Sequence, residues 1–228
     1  MLTGVGAEGQ VGEAVANAFA ELGASLVLVD RSPEKAQARA NAIVAREQAA
    51  RGYGCDLADP AAVAALASAV RAEHGDKLRA LVHMAGGFAM SGPVAESSLE
   101  VWDRQITINL TTAYVTARAF LPMLRAGRGS IVFFSSLPVA QGAPAAEMSA
   151  YSVAKSGVAA LMRAIAAEER VHGVRANAVA PASIRTASNV ASMGEKVRYI
   201  EREQVADAVT FLCSEAASAI TGQLVALT

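Results

Sequence analysis

Cysteine is scarce: Cys55 and Cys213 are the only two in 228 residues. A disulfide framework needs more of them in a shorter chain, and no Cys/His group has metal-ligand spacing, so no metal and a reducing, cytoplasmic setting with buried thiols are expected. Excess charge is lacking too. Lys plus Arg is 20 and Asp plus Glu is 21, for a net charge of −1. Holding nucleic acid or an anionic membrane takes a strong basic excess, so neither partner is expected. There is no uncharged, glycine-free apolar run of about 18 residues or more, and the alanine-rich stretch 58–70 is too short to span a bilayer. The start, MLTGVGAEGQ, has no basic region followed by an apolar core and is not a signal peptide. No linker-like tract and no repeat with a period of about 20–50 residues stands out, so residues 1–228 are read as one domain. A GxSxG elbow is absent, and His74, His83 and His172 lie near no such motif, which leaves a Ser-His-Asp hydrolase unsupported.

What is present is an apolar chain, 53% hydrophobic, long enough to bury one good core and too apolar for disorder. Short apolar runs alternate with helical patterns. Residues 25–29, 80–84, 130–134, 175–179 and 224–227 read as buried strands, and 53–55 as a weaker, short one. Residues 11–22, 32–46, 59–74, 99–124, 149–172 and 202–214 read as helices, with Ser32-Pro33 and Asp59-Pro60 as starts. Strand–helix alternation predicts an α/β fold: a Rossmann-type, doubly wound parallel sheet with helices on both faces, three layers αβα.

In such a sheet, ligands bind beyond the carboxyl ends of the strands. The loop from Thr3 to Gly12 holds Gly4, Gly6, Gly9 and Gly12 ahead of a helix, so backbone N–H groups and the helix dipole can meet a pyrophosphate. Asp30 ends the next strand about 20 residues later, where a carboxylate accepts hydrogen bonds from ribose hydroxyls. The pair favours dinucleotide binding over a plain glycine turn. Asp30 would repel a 2′-phosphate, which favours NAD over NADP, while Arg31 beside it keeps NADP open. Asp56-Leu57 either caps the adenine edge or forms a turn.

Tyr151 and Lys155 stand four apart on one helix face. An ammonium one turn away favours the phenolate, and a phenol tuned in this way could exchange a proton with a carbonyl or alcohol oxygen. A bare pair of this kind also occurs as ordinary helix surface. Ser135-Ser136 ends the strand before it, where one hydroxyl could hold a substrate oxygen. Read alone, Asn109 is a buried helix asparagine and Thr186 a helix cap.

In order along the chain, Gly4–Gly12, Asp30, Asp56-Leu57, Ala85-Gly86, Ile108-Asn109-Leu110, Ser136, Tyr151-Lys155, Asn177–Pro181, Thr186 and Thr221-Gly222 resemble the short-chain dehydrogenase/reductase family. The resemblance spans nearly the whole chain. It implies an NAD(P)(H)-dependent oxidoreductase that interconverts a secondary alcohol and a ketone, 3-oxoacyl reductase-like, with a small-molecule substrate. It implies Tyr151 as acid/base, Lys155 as its tuner and ribose ligand, Ser136 as the substrate-orienting hydroxyl (Ser135 a minor rival), and Asn109 as holder of a relay water. Gly4, Gly6, Gly9, Val11, Gly12, Asp30, Arg31, Asp56, Leu57, Ala85, Gly86, Tyr151, Lys155, Pro181, Ile184 and Thr186 are the implied cofactor contacts. A homodimer or homotetramer through 99–124 and 149–172 is implied, and 187–204 is a short substrate loop. The departures are a first strand reduced to about Met1-Leu2, which should weaken the core, His83-Met84 in place of Asn-Asn, and Ala182 after Pro181. They motivate an alternative: a nucleotide-binding scaffold or sensor with little turnover.

Overall fold

The computed structural model describes residues 1–228. Its strands are β1 (Leu2–Thr3), β2 (Leu26–Asp30), β3 (Ala50–Gly54), β4 (Ala80–His83), β5 (Ser130–Phe134), β6 (Arg175–Pro181) and β7 (Leu224–Leu227). All pair in parallel, in the order β3-β2-β1-β4-β5-β6-β7. Successive side chains alternate between faces. Val27, Val29, Ile131 and Phe133 enter one core, and Leu26, Leu28, Val82 and Val132 enter the other. Both faces are therefore dry, which is why these strands read as unbroken apolar runs.

Helices α1 (Val11–Glu21) and α2 (Pro33–Val44) cover one face, and α3 (Pro60–His74) lies on the opposite one. The Ser32 hydroxyl accepts from the Lys35 N–H at the start of α2, and the Asp59 carboxylate from the Ala61 N–H at the start of α3. Each is followed by proline, whose missing N–H costs nothing in a first turn. The single helix expected over 99–124 is interrupted. It runs as α4 (Leu99–Ile106), a π-helical turn (Thr107–Thr111) and α5 (Thr112–Gly127). The next expected helix is α7 (Ser149–Glu168), closing in a 3-10 turn at 169–172. Before it lies α6 (Leu137–Gln141), which has no strong sequence signal. The substrate-loop region 187–204 holds α8 (Ala187–Met193), and α9 (Arg202–Cys213) follows. Helices α3, α5 and α7 fill one core, and α1, α2 and α9 the other.

The shortened first strand does not leave the sheet split. Leu2 and Thr3 lie between Leu28-Val29 and Val82-His83 and pair with both, and their side chains are buried. The carboxyl ends of β1, β2, β4, β5 and β6 thus open onto one crevice.

Candidate functional site

The adenosine end of the crevice is shaped by glycines that nothing larger can replace. A Cβ on Gly12 would lie 2.3 Å from the Val5 carbonyl oxygen, and one on Gly4 (φ +69°) 2.5 Å from the Ala85 Cα. The first lets α1 start directly beneath the loop, with Val11 as its opening residue; the second lets the loops after β1 and β4 touch. Asp30 ties this region together, its carboxylate accepting from the Gly6 N–H at 2.9 Å and the Ser32 N–H at 3.1 Å. The Gly9 N–H points back to Glu13 at 2.7 Å. Gly4, Asp30, Arg31, Asp56, Leu57, Ala85 and Gly86 line one cavity of about 330 Å³. The sequence thus brings these seven together. Asp56 also forms a turn, accepting from the Ala58 N–H at 2.9 Å.

These residues fit a dinucleotide. The cavity is of the size that takes a small organic group, a carboxylate stands at its wall, and the loop at its edge presents backbone where side chains would block approach. Three residues steady the loop from a distance. Glu13, in the first turn of α1, pairs with Arg39 of α2 at 2.6 Å and Arg202 of α9 at 3.3 Å. Burial alone would raise its carboxyl, but the Gly9 N–H and the two guanidiniums hold it below the usual carboxylate range. A negative charge that would oppose phosphate at a helix N-terminus is thereby balanced by two cations. Arg104, which lines the same cavity as Arg31, was likewise not marked out by the sequence.

The reaction end lies where β5 gives way to α6 and α7. Ser135 and Ser136 are both buried. The Ser135 hydroxyl donates to the Lys155 carbonyl at 3.1 Å, a structural bond that occupies it. The Ser136 side chain makes no such bond and interacts with the Tyr151 phenol, drawing its pKa down. Burial is the stronger influence on Tyr151 and pushes it up to about 12. The lowering expected from Lys155 is absent. The Lys155 ammonium sits 5.7 Å from the centre of the Tyr151 ring and donates to the Phe134 carbonyl at 2.9 Å. The same helix face is shared, and the amine makes its hydrogen bond to the Phe134 carbonyl. Phe88 meets the other side of the ring edge-on, centroids 5.1 Å apart.

Lys155 is buried with one acceptor for its three donors, and burial lowers it to about 8. A buried cation short of acceptors fits the hydroxyls of a ribose. Gly86 lies against it: a Cβ there would be 3.4 Å from the ammonium and 2.5 Å from Asn109 Oδ1. Asn109, at the centre of the π-helical turn, accepts from the Gly87 N–H at 3.2 Å and donates to the Gly87 carbonyl at 2.9 Å. Its amide also reaches the Gln105 carbonyl and side chain, each at 3.1 Å. The extra residue of a π turn re-aims a side chain, and here it aims Asn109 at the loop after β4.

His83 replaces an asparagine in the family pattern and is a hub that the sequence did not reveal. Its Nδ1 lies 3.0 Å from the Thr3 hydroxyl and its Nε2 3.3 Å from that of Thr112. Thr112 donates its proton to the Ile108 carbonyl at 2.9 Å, so one neutral tautomer satisfies everything: Nε2–H donates and Nδ1 accepts. Burial, and then the Lys155 ammonium, hold the ring down to about 3. His83 thus joins β1 and β4 to the start of α5 without adding charge beside Lys155.

The segment after β6 is more tightly folded than an open loop. Pro181 ends the strand and Ile184 bridges to Ile200. The Thr186 hydroxyl caps α8 by accepting from the Asn189 N–H at 3.2 Å. Arg185 pairs with Glu201 at 2.8 Å and Glu195 at 3.3 Å and lies over the Tyr199 ring. These bonds give Thr186 a structural role of its own.

Comparison with known proteins agrees with this geometry. A family model described as enoyl-(acyl carrier protein) reductase matches residues 4–227. The chain belongs to the short-chain dehydrogenase/reductase family. It is 35% identical to D-threitol dehydrogenase of Mycolicibacterium smegmatis, covering 95% of this chain and 86% of that one. It is 37% identical to cis-4-hydroxycyclohexanecarboxylate dehydrogenase of Sinomonas cyclohexanicum, covering 97% and 92%. A short-chain dehydrogenase/reductase structure from Mycobacterium ulcerans superposes with a TM-score of 0.90 at 32% identity, over 99% of this chain and 86% of that one. As a member of this family the protein is an NAD(P)-dependent oxidoreductase that interconverts secondary alcohols and ketones.

Proposed function

We propose that Tyr151 exchanges the proton of this reaction, that Ser136 orients the substrate oxygen, and that Lys155 and Asn109 place the nicotinamide ribose and relay the proton. One observation carries the reading: a buried serine, a phenol and an ammonium meet in the crevice that also holds Asp30. When bound, the nicotinamide supplies or accepts the hydride. With a pKa of about 12, Tyr151 stands in its acid form at neutral pH, ready to protonate a ketone oxygen. Donors fixed in advance, Tyr151 and Ser136, would stabilise the developing alkoxide.

Asp30 supports NAD as the preferred cofactor, since both its oxygens already collect N–H donors and its charge opposes a 2′-phosphate. Arg31 and Arg104 on the same cavity would set the residual use of NADP. The expected result is faster turnover with NADH than NADPH on a panel of polyol-derived, cyclic and acyl-thioester ketones, and an Asp30→Ala variant that narrows that preference by about tenfold or more. Equal rates with both cofactors in the parent would overturn the cofactor assignment. No turnover on any ketone or alcohol, with NADH bound, would favour a binding scaffold.

The exposed Trp102, Leu99, Tyr114 and Val153 on α4, α5 and α7 support a homodimer or homotetramer built on these helices. Sedimentation showing only a monomer at micromolar concentration would contradict it. Cys55 and Cys213, both free, support a reducing compartment such as the cytoplasm.

A further inference from the structure

The opposite end of the sheet has no part in this chemistry, yet it encloses a cavity of about 990 Å³. It opens at the amino ends of β4, β5 and β6, beside the carboxyl ends of α5, the 3-10 turn and α9. Four arginines line it, Arg79, Arg128, Arg170 and Arg175, against one carboxylate, Glu215. That is four positive charges and one negative, a local +3, in a chain whose net charge is −1.

Two of the four have evident structural work. Arg175 donates to the carbonyls of Leu212, Ser214 and Ile220, and Arg79 to that of Gly127. Cations at helix carboxyl ends are ordinary. Arg128 and Arg170 are different: neither makes a hydrogen bond or an ion pair through its side chain in this structure, while other arginines, such as Arg39, Arg125, Arg185 and Arg202, have found carboxylates. Arg128 is moreover held in place. It takes the left-handed conformation that ends α5, and its guanidinium passes over Gly173, where a Cβ would lie 2.9 Å from Nε. Glycine at 173 (φ +72°) leaves room for that guanidinium.

We propose that this cavity is a second, non-catalytic site for a compact polyanion, a pyrophosphate-bearing or otherwise multiply phosphorylated small molecule. Planar guanidiniums bind phosphate oxygens in pairs, the volume suits a small ligand, and the hydroxyl of Ser218 lies on the wall to donate to a remaining oxygen. The site lies at the far ends of the strands from Asp30 and Tyr151, so it would be filled independently of the dinucleotide.

The test is calorimetric titration of inorganic pyrophosphate into enzyme already saturated with NADH, so that the crevice is blocked. One saturable site is expected, and its affinity should fall by about tenfold or more in an Arg128→Gln/Arg170→Gln variant that keeps parental turnover and NADH affinity. Gly173→Ala, which crowds Arg128 and also strains the left-handed backbone at 173, should weaken binding to a smaller degree. Should the double variant misfold, Arg170→Gln alone, on an exposed turn, gives the same reading at reduced size. Absence of saturable binding in the parent, or binding that the arginine variants leave unchanged, would overturn the proposal.

Discussion

At the adenosine end of the crevice, charge is met by charge. Glu13 has two arginines, Asp30 collects two backbone donors, and the loop between them is fixed before any ligand arrives. At the reaction end, three strands along the sheet, Lys155 is buried with a single carbonyl acceptor, His83 is held neutral, and Tyr151 is pressed toward its un-ionised form. The first region can stand alone; the second is left incomplete. The difference teaches that the groups proposed for recognition also stabilise the fold, whereas those proposed for the chemistry are held at a cost to it.

The largest effect expected from disturbing this contrast is on turnover. Tyr151→Phe removes the proposed proton donor and keeps the ring that Phe88 packs against, so the rate should fall by about 10³-fold or more while NADH titration by fluorescence is unchanged. In the parent, alcohol oxidation should rise with pH across the neutral and alkaline range, because only the phenolate accepts a proton and its pKa is about 12. Ketone reduction, which uses the phenol, should stay flat over the same range. A flat oxidation profile would show that another group takes the proton.

Next is the cost of the buried ammonium. With the folded pKa at about 8 against a usual 10.5, the unfolded chain binds the extra proton between those values, so the penalty is full below pH 8 and gone above 10.5. Lys155→Met should therefore lose activity yet gain about 3 kcal/mol of stability at pH 7, read from urea unfolding, and the gain should fade as pH approaches 10.5. A less stable variant at pH 7 would mean that Lys155 is supported by contacts beyond the Phe134 carbonyl.

The smallest effect concerns His83. Its folded pKa of about 3 lies below the usual 6.5, so the unfolded chain takes up the proton first and stability falls as pH drops from 6.5 toward 3. The parent should lose about 2 kcal/mol at pH 5 on this account, and His83→Asn should lose less over the same interval. Matching acid curves would place the acid sensitivity elsewhere.

Strands facing two cores were legible because they have no polar face to hide, as in residues 130–134 and 224–227. Strand β3 was faint for a packing reason: the backbone of α2 passes so close that a Cβ on Gly52 would lie 2.6 Å from Ala36, and glycine is a weak strand former. The break in 99–124 was invisible because a single added residue barely changes apolar spacing, although it decides where Asn109 points. Gly4, Asp30, Asp56 and Gly86, carried by short motifs, line one cavity. Glu13, Arg39 and Arg202 were not legible, since their meeting depends on α1, α2 and α9 lying side by side. The Lys155 bond to the Phe134 carbonyl was not legible because helical spacing fixes a face and leaves the rotamer open.

The lone acceptor of Lys155 makes occupancy readable from heat resistance. A dinucleotide whose ribose hydroxyls take up the spare donors binds only the native state, and mass action then adds about 2.7 kcal/mol at a ligand concentration near 100 times Kd. Melting curves recorded with NADH and with NADPH would therefore rank the two coenzymes before any alcohol has been tried.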